Sequence, residues 1–297
     1  MKKILALFCL GALALWAKPV VTVSILPQEY FVKQIAGDTV EVNTMVAPGA
    51  DPHVYEPKPK QMKALENSKL YFAIGIEFEE AWLPKFQKTY PKLKFIFTQK
   101  GVDRVAMDEH EHGEHEHKEK KQHCHEHNGE VHCHSHEGLD PHIWLDPILV
   151  KTQAKNILNG LVRVFPEHKE LYFANYEKFI AKLDTLDNFI KERLNGVKNR
   201  EFIVYHPSWG YFAKRYDLKQ ISIEIEGKEP KPAQLKEIIK EAKEHGVKVI
   251  FVAPQFFKKS ANLIAKETGA KVVEIDQLAL DWEAELKKTA EIFAKSL

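Results

Sequence analysis

The stretch 247–276, VKVIFVAPQFFKKSANLIAKETGAKVVEID, reads as strand, helix, strand. Val247 to Ala253 is a short apolar run rich in β-branched residues, Lys259 to Thr268 is a helix, and Lys271 to Ile275 is a second strand. Working outward, Phe202 to Tyr205 and Gln220 to Ile225 read as strands, Pro232 to His245 as a helix, and a last helix starts at Trp282. The first half alternates in the same way: strands Val20 to Ile25, Val40 to Val46, Leu70 to Ile74 and Lys94 to Thr98, with a helix from Lys60 to Asn67. Strands and helices that take turns define an α/β class. Between the halves, about fifty residues from Pro147 onward are helical, interrupted at Phe165-Pro166, with Tyr176, Phe179, Leu183, Leu186 and Ile190 marking one apolar face. The expected fold is therefore two α/β lobes with central sheets, joined by one long rigid helix that keeps hinge closure small. Its parts are an N-terminal lobe at 18–150, a connecting helical segment at 151–199 and a C-terminal lobe at 200–297.

The ends and the composition bound the function. Met1, Lys2 and Lys3 followed by the apolar stretch Ile4 to Trp16 read as a secretory signal peptide over 1–17, too short to span a bilayer. Cys9 lies within that apolar stretch and is read as discarded with it. The mature product is then an exported protein, expected in the periplasm as a monomer. A net charge of +1 with signs interspersed gives no basic stripe for nucleic acid. Residues 108–137 hold ten histidines among acidic residues and lysines and almost nothing apolar, so they read as a mobile insertion in the first lobe. Cys124 and Cys133 lie inside it, each flanked by histidines, either as a disulfide across Asn128-Gly129 or as metal-binding thiolates.

Metal chemistry is written in three places. Asp-Pro-His occurs twice, as Gly49-Ala50-Asp51-Pro52-His53-Val54-Tyr55 and as Gly138-Leu139-Asp140-Pro141-His142-Ile143-Trp144, and both contexts are rich in turn residues. Both histidines are expected on stiff, partly exposed loops. His206 follows the strand Phe202 to Tyr205, and Asp276 follows Lys271 to Ile275, at the carboxyl ends of strands where ligands of open α/β sheets collect. His53, His142, His206 and Asp276 would converge in the cleft between the lobes. Three imidazoles and a carboxylate suit tetrahedral Zn²⁺, and a shell filled by protein favours carrying the ion over catalysis with it. A water or Glu56 stands as the alternative fourth donor. The third place is the insertion, where His110, His112, His115, His117, His123, His125, His127, His132, His134 and His136 make an accessory low-affinity set. His123-x-x-Glu126-His127 matches a metalloprotease spacing, but repetition alone produces it. His168 and His245 sit at helix ends and read as structural. Tyr55, Trp144, Trp209 and Tyr211 read as packing that keeps the cleft dry.

On these residues the chain resembles the zinc-binding solute-binding proteins of bacterial metal ABC importers. The resemblance rests on the two Asp-Pro-His segments, the histidine run before the second, the long connecting helix, Tyr205-His206, Glu229-Pro230 to Leu235 and Glu274-Ile275-Asp276. It implies metal ligation by His53, His142 and His206, with an acid at Asp276 in many members. It also implies partnership with an inner-membrane permease and its cytoplasmic ATPase. The manganese branch tends to carry a carboxylate at the third position, where this chain has His206. Two segments depart from the family pattern: Ala253-Pro254-Gln255-Phe256 where Glu-Pro-Gln-Phe is common, and Asp276-Gln277-Leu278-Ala279 where Asp-Pro-Leu-Gly is. The alternatives are a manganese or nickel carrier, and a zinc-buffering or adhesive protein acting through the histidine run. A secreted zinc hydrolase would need an open coordination site with a general base, which the cleft motifs do not offer.

Overall fold

A computed structural model describes residues 18–107, 124–127, 130–133, 139–224, 228–256 and 258–297, with the backbone alone for 124–127 and 130–133. The expected signal peptide and most of the histidine insertion lie outside the described residues. In chain order the elements are β1 (Val20–Val23), α1 (Leu26–Ala36), β2 (Glu41–Thr44), α2 (Pro59–Glu66), β3 (Ser68–Ala73), α3 (Glu77–Thr89) and β4 (Lys94–Phe97). The insertion carries β5 (Cys124–His127) and β6 (Glu130–Cys133). Then come α4 (Pro147–Val164), α5 (Lys169–Leu194), β7 (Glu201–Val204), α6 (Gly210–Arg215), β8 (Lys219–Ser222), α7 (Pro232–Glu244), β9 (Val249–Val252), α8 (Lys259–Thr268), β10 (Lys271–Glu274) and α9 (Trp282–Ser296).

Each lobe is built on a four-stranded parallel sheet, ordered β2-β1-β3-β4 in the first and β10-β9-β7-β8 in the second. Parallel strands need crossovers, which the helices supply, and both faces of such a sheet are covered. The second sheet shows this residue by residue. Phe202, Val204, Val249 and Phe251 join the large core that extends into the first lobe, whereas Ile203, Tyr205 and Ile250 turn to a smaller core with Ile238, Ala242, Ala261 and Ile264 of α7 and α8. Alternation along a strand sends neighbours to opposite faces.

The connector has the interruption expected of Phe165-Pro166: α4 ends there and α5 runs on for 26 residues. Asp146 caps α4, its Oδ1 accepting from the amides of Ile148 at 2.8 Å and Leu149 at 3.3 Å, while Arg215 of the second lobe clamps the same carboxylate at 2.7 Å. Gly160 lets α4 press against the first sheet, since a Cβ there would stand 2.9 Å from Phe72 and Ile96. The lobes are further tied where Trp144 Nε1 donates to the Gln277 carbonyl and Trp282 Nε1 to the Trp144 carbonyl, both at 2.8 Å. α9 lies along α5, with Tyr30 and Lys182 meeting Glu283 at 2.8 Å.

The eight strands of the two lobe sheets fall where the sequence places them, with ends shifted by up to three residues, whereas β5 and β6 in the insertion were not expected. Helices α1, α3 and α6 were not legible. Pro84 sits inside α3 and hides it as a helix in the sequence.

Candidate metal centre

His53 and His206 stand on loops that follow strands, and His142 on the segment that leads into α4. His53 lies in the loop after β2, which Tyr55 ties to α2 through a 2.8 Å hydrogen bond to Gln61. His142 precedes a short turn of 3₁₀ helix, Ile143–Leu145, that leads into α4. His206 directly follows Tyr205 at the end of β7.

The two Asp-Pro-His copies fold alike. Asp51 Oδ1 accepts from the His53 amide at 2.9 Å, and Asp140 Oδ1 from the His142 amide at 2.9 Å, the local turn that aspartate favours. They differ in burial. His142 is 3% exposed, which corrects the expectation of a partly exposed loop; the side chain of His53 keeps 25%. Trp144 beside His142 and Trp209 and Tyr211 below it are buried, and fill the space a surface loop would leave to water.

Three Nε2 atoms converge. His53 and His206 are 3.2 Å apart at Nε2, His206 and His142 3.4 Å, and the donor atoms of all three lie within 4.8 Å of one another. A zinc tetrahedron with bonds of 2.0–2.1 Å has edges of about 3.3–3.4 Å. The far side of each ring is held by its own carboxylate. His53 Nδ1 meets Glu77 Oε2 at 3.2 Å, His142 Nδ1 meets Asp140 Oδ1 at 2.7 Å, and His206 Nδ1 meets Glu224 Oε1 at 3.2 Å. With a proton on each Nδ1, every Nε2 presents a lone pair to the other two. Three lone pairs at that spacing repel unless a cation lies between them, and carboxylate support at Nδ1 is the usual arrangement behind a metal-bound imidazole.

These partners come from the topology. Glu224 N donates to the Tyr205 carbonyl at 2.9 Å and so extends the β7–β8 ladder until Glu224 stands beside His206. Glu77 opens α3, whose loop is fastened by the buried Glu79: its carboxylate accepts from the Gly75 amide at 2.7 Å and Ser24 Oγ at 2.5 Å. Burial pushes Glu79 up to about 7. Burial would also raise Glu77, but the bond and charge of His53 outweigh it and hold the carboxyl down at about 2. For His53, burial lowers and the Glu77 hydrogen bond and charge raise; the net stands above the ordinary imidazole value. His206 lies below it, through burial first, with His142 and His53 adding and Glu224 opposing. Phe256 stacks on His206 at 4.7 Å and covers that side.

Asp276 is not in the converging group, nor is the exposed Glu56. Asp276 Oδ1 accepts from Gln255 Nε2 at 2.8 Å and from the Leu278 amide at 2.9 Å. His245 pairs with Glu201 at 2.5 Å, and His168 lies against Tyr172, both away from the centre. Sequence reasoning did not find Glu77, Glu224 or Phe256. Asp140 alone had a local signal, being part of the motif it serves.

A family model described as the periplasmic component A of a zinc-uptake complex, ZnuA, matches residues 21–292. The chain belongs to this family. Members are solute-binding proteins. The chain is 35% identical over 262 residues to the high-affinity zinc uptake system protein ZnuA of Bacillus subtilis, covering 87% of this chain and 78% of that one. It is 31% identical over 275 residues to the zinc-binding protein AdcA of Streptococcus pyogenes, covering 92% of this chain but 53% of the relative, so it spans about half of AdcA's length. A crystal structure of a ZnuA deletion mutant with zinc bound superposes with a TM-score of 0.82 at 38% identity, covering 94% of this chain and 98% of that one. The ZnuA fold thus agrees with two parallel-sheet lobes joined by a long helix. Among the described residues no helix is long and apolar enough to cross a membrane.

Proposed function

We propose that this chain binds Zn²⁺ between its lobes through His53, His142 and His206 and delivers it to an ABC import permease driven by a cytoplasmic ATPase. The observation that carries this is the convergence of three Nε2 atoms within 4.8 Å, two of the pairs 3.2 and 3.4 Å apart, each ring backed by a carboxylate. Family membership and the zinc-binding names of the relatives support the same reading. Nitrogen-rich sites rank zinc well above manganese, and the converging donors among the described residues are all imidazoles. Asp276 is the fourth donor in this reading. Its Oδ1 is engaged by Gln255 and the Leu278 amide, so Oδ2 is the oxygen that would turn to the ion. The protein acts as an exported monomer in the periplasm, and the residues 1–17 serve as its cleaved signal.

The test is competition of the mature chain lacking 108–137 against a chromophoric chelator, with Zn²⁺ and Mn²⁺, beside His142→Ala and Asp276→Asn. One tight zinc site that disappears in His142→Ala and weakens in Asp276→Asn is the expected outcome. Absence of any tight site after the deletion would shift the function to the histidine run, as buffer or adhesin.

A further inference from the structure

The turn after β9 touches both groups that the second lobe offers to the centre. It is closed by the Phe256 amide on the Ala253 carbonyl at 3.2 Å. Phe256 stacks on the His206 ring, and its neighbour Gln255 donates from Nε2 to Asp276 Oδ1 at 2.8 Å. The backbone around Asp276 is fixed from two sides. Its amide donates to Glu285 Oε1 at 3.0 Å, and the next carbonyl, of Gln277, accepts from Trp144 Nε1 at 2.8 Å. Oδ1 is shared between Gln255 and the Leu278 amide, whereas Oδ2 has no hydrogen-bond partner among the described residues. One oxygen of the carboxylate is anchored and the other is left to take a cation.

The fold does not account for the Gln255 amide. Its bond to Asp276 is the one hydrogen bond its side chain makes among the described residues, and its Oε1 is buried without a partner. A buried acceptor left unpaired is destabilising, and an apolar side chain of the same length would avoid that cost. What the amide supplies is a donor to Asp276. Turned the other way, its oxygen would face the carboxylate oxygen and repel it, so the charge of Asp276 sets its orientation. Asp276 lies outside the converging imidazoles, so its carboxylate has to turn toward the ion, and the hold on Oδ1 decides which oxygen leads.

We propose that Gln255 is a positioning residue for zinc binding: by holding Oδ1 it orients the Asp276 carboxylate so that Oδ2 is presented to the ion held by His53, His142 and His206. A donor oriented in advance loses less freedom on binding. Hydrogen-bond partners behind metal ligands typically change affinity about 10–100-fold. The inference rests on Asp276 as the fourth donor, as proposed above, and adds what aims it.

The experiment compares the full mature chain with Gln255→Met, Asp276→Asn and the double variant. Methionine keeps the length of the side chain and removes both its donor and the unpaired acceptor. Each chain is loaded with one equivalent of Co²⁺, whose absorption reports coordination geometry. Zn²⁺ affinity is measured by chelator competition, and the melting midpoint without metal is measured beside it. Gln255→Met is expected to weaken zinc about tenfold and to move the cobalt absorption in the direction that Asp276→Asn moves it, with the metal-free midpoint unchanged or higher. In the Asp276→Asn chain the same change should alter affinity by less than about twofold, because a residue that acts through Asp276 has nothing left to aim. Three outcomes overturn the positioning role alone. Gln255→Met could match the parent in affinity and spectrum while Asp276→Asn differs. Its loss could be as large in the Asp276→Asn chain, or it could come with a lower metal-free midpoint. If Asp276→Asn itself changes neither affinity nor spectrum, the fourth-donor reading fails and takes the positioning role with it.

Discussion

The two Asp-Pro-His segments are the same tripeptide put to different use. Both aspartates close the same turn onto the histidine amide at 2.9 Å. In the second copy the aspartate also holds its own histidine ring, at 2.7 Å, and the assembly is sealed, with Asp140 and His142 2% and 3% exposed. In the first copy the ring turns to Glu77, from a helix 24 positions on, and that carboxylate is 44% exposed. Val54 beside it is 77% exposed. The second copy is thus a rigid wall of the centre and the first its open side. In the proposed site an ion arriving from solvent would meet His53 first, because its ring is the exposed one.

The most severe way to break this contrast is His142→Ala, expected to abolish the tight zinc site and the stabilisation that zinc gives, which at free zinc a hundredfold above Kd amounts to about 2.7 kcal/mol. Calorimetry with and without zinc checks it. Next is Asp140→Asn. It removes the negative charge behind the buried ring while an amide oxygen remains to accept from it, and loss of such carboxylate support costs about 10–100-fold in metal affinity. Gly210→Ala tests the same wall from behind, because a Cβ there would stand 2.9 Å from Asp140 Oδ2. A severalfold loss smaller than that of Asp140→Asn is expected in chelator competition; an unchanged affinity would show that Asp140 can yield without cost.

The mildest change is Glu77→Gln on the open side, with a loss near the lower end of the same range, about tenfold or less. Its signature is in the pH profile. Zinc needs neutral imidazoles. As pH falls, His53, held above the ordinary value mainly by Glu77 against its burial, takes a proton first, so affinity declines from there at about one proton per ion. His206, lowered by burial, adds its proton only at lower pH. Without the Glu77 charge the first decline should begin at lower pH than in the parent chain. If Glu77→Gln left the onset where it was, the open-side carboxylate would have no hold on His53.

Much of the fold was legible because its signals are local. The strands carry apolar β-branched runs, and the connector carries a helical period broken at Phe165-Pro166. Helix α3 was hidden by Pro84, and α6, at six residues, is too short for its period to show. Three of the four expected donors converge, because each sits immediately after a strand or in a turn that its own motif closes. The carboxylates behind two of them were invisible, since Glu77 and Glu224 follow other strands and nothing in their neighbourhoods marks them.

The sequence by itself determined the α/β alternation, the duplicated turn and the imidazoles it presents, because apolar period and an aspartate two residues before a histidine act within a few bonds. The tertiary structure alone decided which carboxylate backs each ring, that one copy is buried and the other open, and that Asp276 is engaged with Gln255. Those choices depend on which strand ends lie side by side in the two sheets, and strand order and register are set by packing across the whole chain.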